Sequence, residues 1–184
     1  SSKVKLTKDE VDGFYFGFSN RTIWPLFHYF LEYSEFELSY WETYKAVNQK
    51  FADAILEMAD DNDTIWVHDY QLMLVPHMVR EKRPNNSIGF FLHIPFPSYE
   101  IFRTLPWRRE ILQGLLGSDL IGFHTYDYER HFSSSVRRLL GLEVSFNDIY
   151  LEDRVIKVDA FPMGIDYKKF SEAAKEHSQR NESE

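Results

Sequence analysis

The sequence has no cysteine among its 184 residues. Without thiols it can form neither a disulfide framework nor a thiolate metal site. No apolar run approaches the roughly 20 residues that a membrane-spanning helix needs, and no signal-peptide pattern opens the sequence. Because the lack of cysteine also agrees with a reducing compartment, we expect a cytoplasmic protein that has no membrane partner.

Positive charge is also scarce. The 21 lysines and arginines are outnumbered by 29 aspartates and glutamates, which gives a net charge of −8. A nucleic-acid-binding protein needs a basic surface, so we expect no nucleic-acid partner. The glycine patterns GxGxxG and GxxxxGK[ST] are also missing, and the sequence therefore shows no loop that cradles a phosphate through its backbone.

Aromatic residues, in contrast, are abundant. The sequence contains 16 Phe, 11 Tyr and 4 Trp, and 43% of all residues are hydrophobic. A chain of this length and composition can bury the core of one domain, and a disordered chain would carry far fewer aromatic residues.

The hydrophobic pattern predicts short buried strands that alternate with helices. Apolar runs suited to strands cover residues 64–68, 88–92 and 120–123. The clearest helical period covers residues 37–58, and a second helix is expected from Thr125, an N-cap, to Gly141, a C-cap. Alternation of this kind predicts an α/β fold with a parallel sheet and helices on both faces.

Both ends of the sequence carry weaker patterns. Thr7 and Glu10 form a capping-box pattern that starts a helix, which we expect to break at residues 19–20. Residues 144–158 alternate loosely and predict a hairpin that turns near 151–154. The segment from Ser171 onward is polar and is expected to be a fraying helix.

Polar residues lie at or just after the ends of three of the predicted strands. They are His68 with Asp69, then His93, then His124 with Thr125, which is also the predicted N-cap. Since parallel strands end at one edge of the sheet, these side chains should converge on one crevice, where open α/β sheets bind ligands. No Ser/His/Asp set accompanies them, and no carboxylate spacing supports a metal site. A purely structural role for His93 is the alternative.

Five blocks of the sequence resemble one enzyme family. They read GFSN with IWPLFHY (17–20, 23–29), WVHDYQL (66–72), FLHIPFPS with EIF (91–98, 100–102), GFHTY (122–126) and FPMGID (161–166). In this order they resemble the trehalose-6-phosphate synthases, which are retaining glycosyltransferases of family 20 with the two-domain GT-B architecture. One departure is Gln71, where many members have histidine.

The resemblance implies an activity and a set of site residues. The reaction would transfer glucose from UDP-glucose to the anomeric hydroxyl of glucose 6-phosphate and give α,α-trehalose 6-phosphate. Tyr15 and Trp24 would form a wall of the glucose 6-phosphate site. Asp69 would be the carboxylate beside the acceptor and the reacting centre, and His93 would be the active-site histidine that contacts the donor glucose. No cofactor and no metal ion are implied.

The resemblance also implies a domain organisation. Residues 1–170 would be a Rossmann-like N-terminal GT-B domain that lacks its first strand, and residues 171–184 a polar tail or the start of an interdomain segment. The donor-binding C-terminal domain would lie outside this sequence, so we expect these residues to be inactive alone. Two alternatives stay open, namely a non-catalytic regulatory or scaffolding domain beside a phosphatase and another GT-B sugar transferase. The oligomeric state, including a homo-oligomer, and the choice between UDP and GDP donors stay open as well.

Overall fold

The fold is built on a mixed β-sheet that is flanked by helices. The computed structural model describes residues 2–162 and 167–182. Within these residues the sheet has six strands in the order β1-β2-β3-β6-β5-β4. They are β1 (Thr64–His68), β2 (Ser87–Phe91), β3 (Leu120–Phe123), β4 (Glu143–Ser145), β5 (Asp148–Tyr150) and β6 (Val155–Ala160).

The parallel core of the sheet confirms the predicted architecture. Strands β1, β2, β3 and β6 run parallel, with His68 opposite Phe91 and Phe91 opposite Gly122 in neighbouring pairs. Every residue of β3, and all of β2 except Ser87, is buried. Such strands read as continuous apolar runs because helices cover both of their faces.

The edge of the sheet is antiparallel, as the hairpin predicted over residues 144–158 requires. Strands β4 and β5 pair antiparallel with each other, and β5 pairs antiparallel with β6. The predicted hairpin turn is present, with the backbone N–H of Leu151 donating to the carbonyl oxygen of Arg154 at 2.9 Å. A second, tighter turn at Phe146 joins β4 to β5. Both connections are too short for the crossover that parallel neighbours require.

The helices agree with the predicted boundaries in the middle of the chain. They are α1 (Lys8–Val11), α2 (Trp24–Phe27), α3 (Leu38–Met58), α4 (Val75–Lys82), α5 (Tyr99–Phe102), α6 (Arg108–Leu115), α7 (Tyr126–Leu140) and α8 (Tyr167–Glu182). The hydroxyl of Thr125 accepts from the backbone N–H of Tyr128, and Gly141 ends α7 with a φ of 67°. Both predicted caps of α7 are therefore confirmed. None of the helices in the described residues is both long and apolar enough to cross a membrane.

The first helix is longer than predicted. The capping box is confirmed, since the N–H of Glu10 donates to the Thr7 hydroxyl and the N–H of Thr7 donates to the Glu10 carboxylate. The predicted break at residues 19–20 is wrong, because the chain continues as a π-helix over Asp12–Ile23 and then as α2. The Ser19 hydroxyl donates to the carbonyl oxygen of Phe14 at 2.7 Å, so its hydrogen bond is made within the helix.

The glycines of this first helix serve packing against α3. A Cβ atom at Gly13 would lie 2.8 Å from the side chain of Thr43, and one at Gly17 would lie 2.7 Å from the ring of Tyr40. Real Cβ atoms do not approach so closely, so both positions need glycine for the two helices to touch. Gly13 and Gly17 are therefore contact points between the two helices.

Helix α8 covers the face of the sheet opposite the main core. It contacts β1, β2, β3 and β6, and Ala174 is buried against Phe91 and Leu120. The helix starts at Tyr167 and so extends on both sides of position 170. Residues 163–166, which end the last sequence block, lie outside the described residues.

Candidate active site

The three histidines at the ends of parallel strands meet at one edge of the sheet, as predicted. The ring centroids of His68 and His93 are 5.4 Å apart, and those of His93 and His124 are also 5.4 Å apart. The rings of His93 and His124 both contact Phe91, the last residue of β2. His93 is the exposed member, and the other two are half-buried.

Asp69 lies at the start of the loop after β1 in a strained conformation. Its φ is 74° and its ψ is 172°, a region that costs a residue other than glycine about 1–3 kcal/mol. One carboxylate oxygen, Oδ1, accepts from the N–H of Tyr70 at 3.0 Å and from the N–H of His93 at 3.2 Å. Its own N–H donates to the carbonyl oxygen of Phe91 at 2.9 Å. These bonds hold the strained residue in place and couple it directly to the backbone of His93.

A buried tyrosine of α3 fixes the loop that follows Asp69. The hydroxyl of Tyr44 donates to the carbonyl oxygen of Tyr70 at 2.8 Å and accepts from the N–H of Met73 at 3.1 Å. Tyr44 is fully buried, and this burial raises the pKa of its hydroxyl far above the usual value. The hydroxyl therefore keeps its proton and stays a donor at every physiological pH.

Asn48, one helical turn further along α3, holds the same loop. Its amide nitrogen donates to the carbonyl oxygen of Gln71 at 3.0 Å, and its amide oxygen accepts from the N–H of Leu74 at 3.2 Å. Only the backbone of Gln71 takes part in this contact. Glutamine in place of the family's more frequent histidine leaves this hydrogen bond available, because the backbone carbonyl is the same whatever the side chain.

Two of the three histidines, His68 and His124, lie in an environment that favours their neutral forms. The pKa of His68 is lowered mainly by burial and further by the neighbouring His93, while Asp69 opposes the change. The pKa of His124 is lowered by the same causes in the same order. Near neutral pH both rings are therefore uncharged, and each presents one nitrogen as a donor and one as an acceptor.

The predicted aromatic wall is partly assembled. Trp24, 40% exposed, stacks on His28 at a centroid distance of 3.8 Å. It lines an open groove of about 400 Å³ together with Asn20, Arg21, Pro25, Phe30 and Tyr33. Tyr15, 43% exposed, is not among the residues that line the groove. It lies near Tyr70. The pKa of the Tyr70 hydroxyl is raised mainly by burial, then by Asp69 and then by Tyr15.

Asn20 joins the groove to the strand ends. Its amide oxygen accepts from the hydroxyl of Tyr70 at 3.1 Å, and Tyr70 directly follows Asp69. Arg21 adds a cation to the groove; its guanidinium lies 3.9 Å from the carboxylate of Glu35 and donates to the Tyr40 hydroxyl. The groove thus offers aromatic faces for a sugar ring and a cation for an acidic group.

The sequence interpretation did not identify Asn20, Arg21 or His68 as site residues with roles of their own. A signal for the first two was present, because they precede Trp24 by about one helical turn. The expected break at residues 19–20 obscured it. Within residues 2–162 and 167–182, no group of His, Asp and Glu is arranged to hold a metal ion.

Comparison with known proteins identifies relatives of this chain. The sequence profile of glycosyltransferase family 20 matches residues 1–184. A relative from Emericella nidulans, a UDP-forming α,α-trehalose-phosphate synthase, is 54% identical over 176 residues, which are 94% of this chain and 35% of that protein. Across the curated relatives that it matches, the chain spans between about a quarter and two fifths of their length.

Two solved structures share the fold. A UDP-forming α,α-trehalose-phosphate synthase from Burkholderia xenovorans superposes with a TM-score of 0.82 at 38% identity, covering 87% of this chain and 36% of that one. The N-terminal domain of a trehalose-6-phosphate phosphatase from Candida albicans superposes with a TM-score of 0.81, also at 38% identity. It covers 90% of this chain and 35% of that one. The chain is thus similar both to synthases and to a domain of a phosphatase.

Proposed function

The chain belongs to glycosyltransferase family 20, and on that basis we propose that it forms the acceptor-side part of a glucosyltransferase. The reaction is transfer of glucose from UDP-glucose to the anomeric hydroxyl of glucose 6-phosphate. The bond between the glucose C1 and the diphosphate oxygen breaks, and a bond from C1 to the acceptor oxygen forms on the same face. UDP leaves, and the proton of the acceptor hydroxyl passes to the departing phosphate.

One observation carries this proposal. Oδ1 of Asp69 accepts hydrogen bonds from the N–H groups of Tyr70 and His93, so a carboxylate and an exposed imidazole are held together at the carboxyl edge of the sheet. The positive φ of Asp69 is the kind of strain that folds tolerate at functional sites. This pair supports a centre that positions two sugars and stabilises charge, without a protein nucleophile.

The two residues have separate roles in the proposal. Asp69 accepts hydrogen bonds from hydroxyl groups of the acceptor sugar, using the oxygen that the backbone leaves available. His93 contacts the donor glucose near the bond that breaks. The pair acts by orientation, which can supply a large part of a rate enhancement when reacting atoms are held at contact distance.

The acceptor is proposed to bind beside Trp24. The groove of about 400 Å³ suits one hexose, whose ring stacks on aromatic faces, while the phosphate is drawn to the cation of Arg21. Tyr15 approaches from the side of Tyr70, and its hydroxyl donates a hydrogen bond to the sugar phosphate. Asn20 holds these two parts together through its hydrogen bond to Tyr70.

The remaining parts of the proposal concern the wider protein. Residues 1–170 act as the N-terminal GT-B domain, residues 171–184 as a tail or the start of an interdomain segment, and the donor diphosphate is held by a C-terminal domain that the relatives carry. Catalysis then needs both domains, and the chain alone is inactive. A cytoplasmic location belongs to the same proposal.

A titration tests the acceptor site directly. Isotopically labelled chain is titrated with glucose 6-phosphate and, separately, with glucose. We expect the indole signal of Trp24 to move only with the phosphorylated sugar, at roughly millimolar affinity because a few hydrogen bonds carry the binding. Arg21→Gln should weaken this response, whereas substitution of Arg103, the exposed residue that directly follows α5, by glutamine should leave it unchanged. An equal response to both sugars would refute the acceptor assignment.

A second candidate function is a non-catalytic domain that supports a phosphatase. The similarity to the Candida albicans phosphatase domain favours it, since that structure has the same fold within a protein named for another activity. A chimera separates the two. In it, this chain replaces the matching segment of the Emericella nidulans relative, and a folded chimera that binds glucose 6-phosphate without turnover would favour the second candidate.

A further inference from the structure

His68 and His93 are joined by their side chains as well as by the sheet. His68 is the last residue of β1, and His93 follows β2 by two residues. Nδ1 of His68 lies 3.2 Å from Nε2 of His93, and the two rings are inclined by only 21°. This is a hydrogen-bond distance between two ring nitrogens, so one ring donates and the other accepts.

Such a bond limits which nitrogen of the exposed His93 ring is left for a ligand. A neutral imidazole carries one proton, and the partner of one nitrogen decides which nitrogen carries it. With Nε2 of His93 engaged by His68, Nδ1 is the ring nitrogen that remains for a ligand. His68 is itself held, because its ring also stacks on Trp66 at a centroid distance of 6.3 Å.

We propose that His68 is a positioning residue that fixes the tautomer and the orientation of the His93 imidazole. This inference rests on the proposed function in so far as it concerns turnover, since His93 is the residue that contacts the donor sugar. His68 need not touch either substrate. Its effect is to present one defined nitrogen of His93, with one defined hydrogen-bonding role, toward the bond that breaks.

The ring-nitrogen spectrum of the labelled chain tests the coupling without any activity measurement. At a pH where the imidazoles are neutral, we expect His93 to show one dominant tautomer. His68→Phe should return the His93 nitrogens toward the averaged values of a free imidazole. His124→Phe is the matched control, because it replaces an imidazole at the same 5.4 Å centroid distance from His93 but leaves the bond between His68 and His93 intact. An unchanged His93 tautomer in His68→Phe would overturn the inference.

The chimera tests the consequence for turnover by comparing kcat between two variants of His68. His68→Asn places its amide nitrogen near the position of Nδ1, and His68→Phe keeps the ring but has no nitrogen. We expect Phe to lower kcat by about tenfold, the worth of one hydrogen bond, with little change in KM. Asn should restore most of that loss. If Asn were no better than Phe, His68 would act through packing alone and the inference would fail.

The two arms separate this inference from the function on which it rests. A chimera that is inactive even without substitutions would refute the proposed function, while the ring-nitrogen spectrum would still decide whether His68 fixes His93. Melting temperatures of both variants control for folding. If His68→Phe melts well below the unsubstituted protein, His68→Leu, which also lacks a ring nitrogen, replaces it as the test of the coupling.

Discussion

Replacement of Tyr44 by phenylalanine tests how the fold holds the loop after Asp69. The substitution keeps the ring and removes only the hydroxyl, so it leaves no large cavity. Two buried backbone groups then lose their partner, namely the carbonyl of Tyr70 and the N–H of Met73. Each unpaired group costs about 1–3 kcal/mol, and we expect the free energy of unfolding to fall by about 2–4 kcal/mol.

Urea denaturation followed by circular dichroism measures this loss, and the melting temperature should fall by about 5–10 °C for a chain of this size. Amide hydrogen exchange at Met73 gives a local readout, because its N–H donates to the missing hydroxyl. Tyr40→Phe on the same helix is the control. Its hydroxyl accepts a hydrogen bond from the exposed Arg21, and because this contact lies at the surface the expected cost is below about 0.5 kcal/mol. Equal stability of the two variants would refute the reasoning.

Three further predictions follow from the site and the packing. In the chimera, His93→Ala and Asp69→Asn should lower kcat by about 100-fold or more, with melting temperatures close to the unsubstituted value; near-normal rates would make these residues structural. Gly117→Ala should cost about 3 kcal/mol, because its Cβ would lie 2.2 Å from the backbone nitrogen of His77. Gly141→Ala should cost only about 1 kcal/mol, from its positive φ; the reverse order in urea denaturation would contradict the packing. The chain alone should form no trehalose 6-phosphate, which a sensitive product assay checks.

Much of the sheet and of the long helices follows from local sequence. The apolar runs of β1 and β3, the periodic face of α3 and the two caps of α7 each depend on residues close together in the chain, so the pattern predicts them. The helix over Asp12–Ile23 does not follow in this way. Its glycines gain their meaning from Thr43 and Tyr40 on α3, which no local pattern can indicate.

The site also contains features that local sequence predicts and features that depend on the fold. The convergence of His68, His93 and His124 was predictable, because parallel strands end at one edge. The hydrogen bonds by which Tyr44 and Asn48 hold the loop after Asp69 were not predictable, because both residues belong to an ordinary buried stripe on α3. Their polar atoms reach a loop more than twenty residues away in sequence. Polar groups on a helix face acquire such roles only when the fold brings the partner to them.

The central claim is that this chain supplies the acceptor side of a retaining glucosyltransferase. The most direct measurement is product analysis of the chimera with UDP-glucose and glucose 6-phosphate together, and with each omitted in turn. The proposal predicts trehalose 6-phosphate with both anomeric centres in the α configuration, formed only when both substrates are present and abolished by His93→Ala. A folded chimera that releases free glucose from UDP-glucose, or that forms no product at all, would contradict the claim.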